Sequence, residues 1–343
     1  MRAVVITENG DPEVLQIQER PDPAVGAGEV RIKVEAAGIN FADLLARTGM
    51  YPDAPKPPSV VGYEVSGTIE SLGEGVTNLA TGDRVLAGTQ FNGYAELVVA
   101  SAEDVIPLPE SLSFEQGAAI PVNYATAYAG LVLMGGLREG DRVLIHAAAG
   151  GVGIAGSQIA RNIGAEVFGT ASASKHDAIR SHGVDHPIDY RGSDFEAAVN
   201  EITGGEGIDV ALDAIGPSSF RKDYRLLRPG GRLICFGISE AQTGTGRNLP
   251  GLIKGLASMA TATMPWWKSL AIMNENKGVF GLNMLSWWKT EGSIKRAIDP
   301  LRADFEAGRL VPVVAESFPF EQAAAAHRFI HERRNVGKVV LVP

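Results

Sequence analysis

The run Val143-Leu144-Ile145-His146-Ala147-Ala148-Ala149-Gly150-Gly151-Val152-Gly153 carries the sharpest chemical signal in the chain. An apolar segment ends, small residues follow, and a helical stretch begins. Small side chains let the backbone approach a pyrophosphate, while the free N–H groups and positive dipole end of a helix start attract the anion. Two glycine spacings overlap. Gly151-x-Gly153-x-x-Gly156 matches the dinucleotide pattern literally but starts late, with its last glycine inside the helix. Ala147-x-x-Gly150-x-x-Gly153 lies nearer the strand end and is the preferred register. Such a motif alone is weak, because a tight turn with no ligand has the same composition. Four further strand–helix units follow it and decide for a dinucleotide, with Ala149, Gly150, Gly151, Val152 and Gly153 at the phosphates.

The next strand bears on which dinucleotide. An NAD site places Asp or Glu about 20 residues on, to bond the ribose 2′-OH. After Val167-Phe168-Gly169-Thr170 the chain instead reads Ala171-Ser172-Ala173-Ser174-Lys175-His176. Ser172 and Ser174 can donate hydrogen bonds and Lys175 brings positive charge, which suits the 2′-phosphate of NADPH. The alternative for Lys175 is a solvated lysine at a helix start. Tyr190 and Arg191, after the third strand, complete the expected pocket. Phe236-Gly237-Ile238 and Ile215-Gly216 each follow a parallel strand, where open α/β sheets bind ligands. Phe280-Gly281-Leu282 is expected to meet the carboxamide through its backbone.

These residues need a scaffold. The 343 residues are too many for one ordinary core and fit two domains. Residues 1 to about 120 read as short strands between Gly/Pro turns, as in Val30–Val34, Gly62–Ile69 and Gly82–Leu86, and imply a compact β-barrel-like domain. From about 121, strands at 143–146, 166–170, 187–189, 210–213 and 232–236 alternate with helices, which implies a doubly wound parallel sheet; 279–282 is the expected sixth strand. Residues 240 to 276 form a long connection with paired tryptophans, Trp266 and Trp267. A helix over 294–308, a strand over 311–316, a helix over 320–332 and a strand over 338–342 close the chain. The net charge of −9, without a Lys/Arg block, advertises no nucleic-acid face. The single cysteine, Cys235, excludes an internal disulfide and a cysteine-based structural zinc site, and reads as a small buried hydrophobe in a strand. No signal peptide precedes the first strand, and the uncharged stretch 255–267 is shorter than the roughly 20 residues of a membrane span. A cytoplasmic location is the expectation.

Ala37-Gly38-Ile39-Asn40-Phe41-Ala42-Asp43, Arg47-Thr48-Gly49-Met50-Tyr51-Pro52, 147–153, Gly169-Thr170-Ala171-Ser172 and Gly337-Lys338-Val339-Val340 together resemble the medium-chain dehydrogenase/reductase superfamily and its zinc-free quinone oxidoreductase branch. Residues 169–176, His186-Pro187-Ile188-Asp189-Tyr190, the Trp266-Trp267 insertion and Asn335-Val336-Gly337-Lys338 resemble the vesicle amine transport protein-like group. The resemblance spans the chain. It implies a GroES-like β-barrel catalytic domain from both chain ends, 1–122 and 285–343, around a Rossmann NADP-binding domain, 123–284. It also implies that zinc-dependent relatives place Cys at Asn40, His at Tyr63 and Cys near Val122, so no catalytic metal is expected.

Without a metal to stabilise an alkoxide, a quinone or an α,β-unsaturated carbonyl is the better hydride acceptor, because the charge spreads over its own conjugated system. Asn40 is the candidate to touch the nicotinamide ribose or the substrate oxygen, with a turn residue as its alternative. Tyr51 resembles the family's pocket tyrosine, with simple packing as its alternative, and Asp43 is expected to orient the neighbouring loops. Thr126 and Asn335 stand where the family brings groups to the cofactor. Solvent can deliver the proton. Quinone reduction leads; enoyl or alkenal reduction and a weakly active nucleotide-binding protein with a membrane or partner role are the other readings. A homodimer joined through the uncharged strand 279–282 is expected.

Overall fold

A computed structural model of the chain describes residues 1–241 and 269–343. They fall into two compact units, one of Met1–Ala125 with Trp288–Pro343, the other of the described residues between 126 and 287. Trp266 and Trp267 lie outside the described residues.

The first unit opens with β1 (Arg2–Ile6), β2 (Leu15–Glu19), β3 (Glu29–Ile39), β4 (Glu64–Leu72), β5 (Arg84–Gly88), β6 (Leu97–Ser101) and β7 (Val105–Pro107). The central parallel sheet of the second unit follows as β8 (Arg142–Ile145), β9 (Glu166–Ala171), β10 (His186–Asp189), β11 (Ile208–Asp213), β12 (Leu227–Cys235) and β13 (Gly278–Gly281). The chain returns to the first unit with β14 (Val314–Pro319) and β15 (Lys338–Val342).

In the first unit, β14-β15-β3-β4-β5-β7 form one sheet, with β6 also on β3. The long strand β3 is the hub, antiparallel to β4, β6 and β15. Its alternate residues Val30, Ile32 and Val34 enter a core with Val65, Ile69, Val85, Val98, Val339 and Leu341, the period-two pattern of a half-buried strand. Three strand ends meet as a consequence. Val339 pairs with Ile39 and Ala37 with Val65, so Asn40, Lys338 and Glu64 come together although they are far apart in sequence.

The second unit has the strand order β10-β9-β8-β11-β12-β13, parallel throughout. The chain leaves β8 for β9 on one side and returns to β11 on the other, the kind of order reversal at which such sheets bind ligands. All six residues of β11 are buried, as expected for a strand covered on both faces. β13 is an edge strand, as the sequence implies.

Three expectations are corrected. The helix over 294–308 is two short helices, Lys295–Ile298 and Arg302–Glu306, around a 3₁₀ turn at Asp299–Leu301; Pro300 cannot donate the hydrogen bond that a continuous helix needs. The strand expected over 311–316 is β14, some residues later. Cys235 ends β12 half-buried rather than buried. The connection over 240–276 also holds a helix, Ser269–Glu275. Among the described residues, one helical stretch, Phe114–Met134, is long and apolar enough to cross a membrane, and most of it is buried in the fold.

Candidate active site

In the first unit the site is a buried polar corner. β3 ends at Ile39, and Asn40 caps the helix Phe41–Thr48. The Asn40 backbone N–H donates to Asp43 Oδ2 at 2.7 Å. The Asn40 side chain points elsewhere: Nδ2 donates to Glu64 Oε1 at 2.9 Å, and Oδ1 accepts from Lys338 Nζ at 2.6 Å. Lys338 also pairs with Glu64, whose second oxygen accepts the Val122 N–H at 2.7 Å. Glu64 and Lys338 are both buried, and one charge neutralises the other, as burial demands. Gly38 makes room for the pair, since a Cβ there would lie 2.7 Å from both Glu64 Oε1 and Lys338 Cε and 2.4 Å from the Ala118 carbonyl.

Asp43 is fully buried and orients this corner. Besides Asn40 N–H it accepts Gly62 N–H at 3.1 Å and the Tyr94 hydroxyl at 2.9 Å. Burial pushes its carboxyl up to about 7 against these three donors. Its partners mark it as a positioning residue. Tyr51, half-buried, meets the Tyr63 ring edge-on, and the Asn335 side chain donates to the Gly337 carbonyl at 2.9 Å. Glu64, Lys338 and Tyr94 are what sequence reasoning missed as site residues. Lys338 and Glu64 stand within quoted motifs, but their pairing depends on strand register.

In the second unit, the expected cofactor residues gather where the parallel strands end. The helix Gly151–Ile163 begins after β8 with Gly150 as its cap and no side chain on its first N–H groups. Those groups remain available to an anion. Gly153 belongs to both spacings and must lack a side chain, since a Cβ there would lie 2.4 Å from the Ala147 carbonyl oxygen; one at Gly156, inside the helix, meets only ordinary contacts. Ala147 has φ +50°, a conformation disfavoured for a residue with a Cβ. β9 ends at Ala171, followed by Ser172, whose Oγ lies 3.4 Å from Ser174 Oγ, and by half-buried Lys175; no acid stands at this strand end. Tyr190 is exposed after β10, with the Arg191 guanidinium over its ring. Gly216 caps the helix Pro217–Leu226 after β11. Phe236, Gly237 and Ile238 follow β12, with Phe236 N–H bound to the Asp213 carbonyl. Phe280 lies in β13. The Leu282 N–H already binds the Cys235 carbonyl at 2.9 Å, so this donor is engaged within the sheet. Thr126 is buried in the helix Pro121–Tyr128.

A buried network supports the turn that follows β8. His146 Nε2 lies 2.8 Å from Asp223 Oδ1, and Nδ1 lies 3.0 Å from Thr170 Oγ1. Thr170 Oγ1 also accepts the N–H of Ala147, and the Thr170 carbonyl accepts that of Ala148 at 2.9 Å. Asp213 accepts from Ser219 and from Ile215 N–H. Burial opposes charge on His146, but Asp223 and then Asp213 raise it to about 9. Burial, with Asp223 alongside, raises the Asp213 carboxyl. The ligand atoms of His146, Asp213 and Asp223 lie within 4.8 Å of one another; His146 and Asp213 are engaged with Asp223 Oδ1, Thr170, Ser219 and Ile215, while Asp223 Oδ2 has no hydrogen-bond partner. The sequence signal for this network is His146 itself, a polar residue that ends an apolar run.

The fold has known relatives. The family model described as Zinc-binding dehydrogenase matches residues 182–341, and the one described as Alcohol dehydrogenase GroES-like domain matches residues 26–110. The synaptic vesicle membrane protein VAT-1 homolog of Rattus norvegicus is 36% identical over 351 residues, covering 100% of this chain and 84% of that protein. The crystal structure of CurK enoyl reductase has a TM-score of 0.85 at 29% identity, covering 99% of this chain and 98% of that one. That of Escherichia coli quinone oxidoreductase complexed with NADPH has a TM-score of 0.84 at 29% identity, covering 100% of both.

The residues present do not fit a catalytic zinc. Zinc takes thiolate, imidazole or carboxylate. Here Asn40 offers an amide already held at both ends, and Val122 contributes only its backbone N–H. Burial first, and then Asp43, hold the Tyr63 hydroxyl far above its ordinary range, which keeps it protonated. The acidic oxygen donor beside the Asn40 amide, the Glu64 carboxylate, is already paired with the Lys338 ammonium and with the Asn40 and Val122 N–H groups.

Proposed function

The chain belongs to the medium-chain dehydrogenase/reductase superfamily, and on that premise we propose that it is a zinc-independent, NADPH-dependent reductase whose hydride acceptor is a quinone. The observation that carries the reading is the Asn40–Glu64–Lys338 corner, which holds an amide and an ammonium where metal-using relatives need ligands. The acid-free end of β9, with Ser172 and Lys175, supports NADPH over NADH.

When bound, NADPH supplies the hydride. The free N–H groups of the helix Gly151–Ile163 hold the pyrophosphate, and Ser172, Lys175 and Tyr190 hold the 2′-phosphate. Phe236, Gly237, Ile238, Gly216 and the backbone of Phe280 line the nicotinamide half, with Thr126 and Asn335 as further contacts. Asn40 has one Nδ2 hydrogen beyond its bond to Glu64, and presents it in a fixed direction because Glu64 and Lys338 prevent the amide from flipping. Asp43 fixes the backbone at Asn40 and Gly62. No side chain need serve as obligatory acid, since a reduced quinone oxygen takes its proton from water.

The likeness to CurK enoyl reductase favours a second reading, reduction of an enoyl thioester or alkenal at the same site. NADPH consumption against 1,2- and 1,4-quinones, alkenals and enoyl thioesters separates the two. Turnover confined to thioesters would replace the quinone reading with the second. A homodimer through β13 belongs to the same proposal. Phe280 is exposed on this edge strand, and Leu270 and Met273 on the helix Ser269–Glu275 are 72% and 70% exposed, an apolar surface of the kind that a partner covers.

A further inference from the structure

Tyr63 stands where zinc-dependent relatives are expected to carry a histidine. In the structure it is 5% exposed, and its hydroxyl has no hydrogen-bond partner. A buried hydroxyl is normally paired, and one left open needs a reason. Two aromatic rings wall it. Tyr51 meets it edge-on, centroids 6.2 Å apart and planes at 83°, and Phe91 lies 5.2 Å away at 54°. Both are half-buried, whereas Tyr63 lies deeper.

Phe91 has φ +137°, far from the ordinary range of a bulky L-residue. The loop that imposes it is fastened to the segment carrying Tyr63. Thr89 N–H donates to the Tyr63 carbonyl at 2.7 Å, Thr89 Oγ1 to the Gly62 carbonyl at 2.9 Å, and Gly93 N–H to the same carbonyl at 3.2 Å. Asp43 holds the other side through Gly62 N–H. Backbone strain over-determined in this way is characteristic of ligand clamps.

We propose that Tyr51, Tyr63 and Phe91 form an aromatic-walled acceptor site, in which the Tyr63 hydroxyl donates a hydrogen bond to the carbonyl oxygen of a flat, ring-conjugated acceptor, a quinone or an aryl enone. This rests on the hydride-transfer reading above and specifies its substrate class. Three rings offer offset and edge contacts to a planar π system; a linear acyl thioester gains little from them. As the acceptor takes two electrons and a hydrogen nucleus from bound NADPH, leaving NADP⁺, its carbonyl oxygen becomes negative. The hydrogen bond from Tyr63 then strengthens, which is the condition for acceleration. Its environment keeps the hydroxyl protonated, so Tyr63 donates without ionising and water supplies the proton that completes the product.

The test uses Tyr63→Phe, which removes only the hydroxyl, and Phe91→Leu, which removes one wall. Both are compared with wild type in melting temperature and NADPH affinity. Steady-state reduction of 1,4-naphthoquinone, an aryl enone and crotonyl-N-acetylcysteamine is measured alongside equilibrium binding of naphthoquinone. Tyr63→Phe is expected to lower kcat on the two ring acceptors about tenfold or more, leaving NADPH affinity within about twofold. Phe91→Leu is expected to weaken naphthoquinone binding by about tenfold. Unchanged kcat on ring acceptors in Tyr63→Phe, or unchanged naphthoquinone binding in Phe91→Leu, overturns the proposal. Wild type that binds naphthoquinone in a Phe91-dependent way but never reduces it supports the site and refutes the hydride-transfer reading instead.

Discussion

The strand ends of the parallel sheet and the polar corner at Asn40 solve the problem of placing polar groups in opposite ways. At the strand ends the candidate groups are backbone N–H donors, which no side chain caps at the helix start after β8. At Asn40 the candidate groups are side chains, each held by a partner remote in sequence: Glu64 is 24 residues away and Lys338 is 298. A backbone site tolerates changes of side chain and fails when a Cβ intrudes. A side-chain corner tolerates nothing that leaves one of its charges unpaired.

Lys338→Met tests that contrast with the largest expected effect. It leaves Glu64 buried without its cation, so unfolding in urea should show a loss of about 3–5 kcal/mol; a loss below about 1 kcal/mol would mean that the corner is not held by charge pairing. Gly153→Ala comes next. Its Cβ cannot lie 2.4 Å from the Ala147 carbonyl, so the turn must open, and calorimetric titration should show NADPH affinity falling by a factor of about 30 or more, about 2 kcal/mol. Gly156→Ala, with room for a methyl, should bind nearly as wild type.

His146 gives a comparison in pH. Because Asp223 and Asp213 hold it up to about 9 against burial, above its ordinary 6.5, the folded chain keeps a proton that the unfolded chain releases. The stability from this contact is full below 6.5 and is lost as pH rises through about 9. Unfolding free energies of wild type and His146→Gln, measured from pH 6 to 10, should therefore converge as pH rises; a constant gap would remove the charged contact from beneath the turn after β8. Lys175→Ala should have the smallest effect, weakening NADPH by about 1 kcal/mol while leaving NADH unchanged, and equal losses for both would remove Lys175 from the 2′-phosphate. Independently, Phe280→Asp should favour monomers in sedimentation at micromolar concentration, and a variant dimer as tight as wild type would exclude β13 as the interface.

The same contrast explains what the sequence disclosed. Residues 143–153 are contiguous, so their apolar run, small residues and helix start are legible together, and the order of alternating strands and helices places their turn at the strand ends. β3 is legible from its period-two pattern. Asn40 was legible as a position, but its orientation depends on β3, β4 and β15 coming into register, which no local pattern encodes. Tyr94 reaches Asp43 across 51 residues for the same reason. Pro300 is a local signal against a continuous helix over 294–308. The role of Tyr63 depends on Phe91 from another loop and was equally out of reach.

The central claim is metal-free hydride transfer from NADPH, and its most direct measurement is the rate of NADPH oxidation with a 1,4-quinone after exhaustive dialysis against a chelator, with NADH run in parallel. The account expects undiminished turnover with NADPH, slower turnover with NADH at equal concentration, and no gain on adding zinc. Activity that disappears on dialysis and returns only with zinc would contradict it.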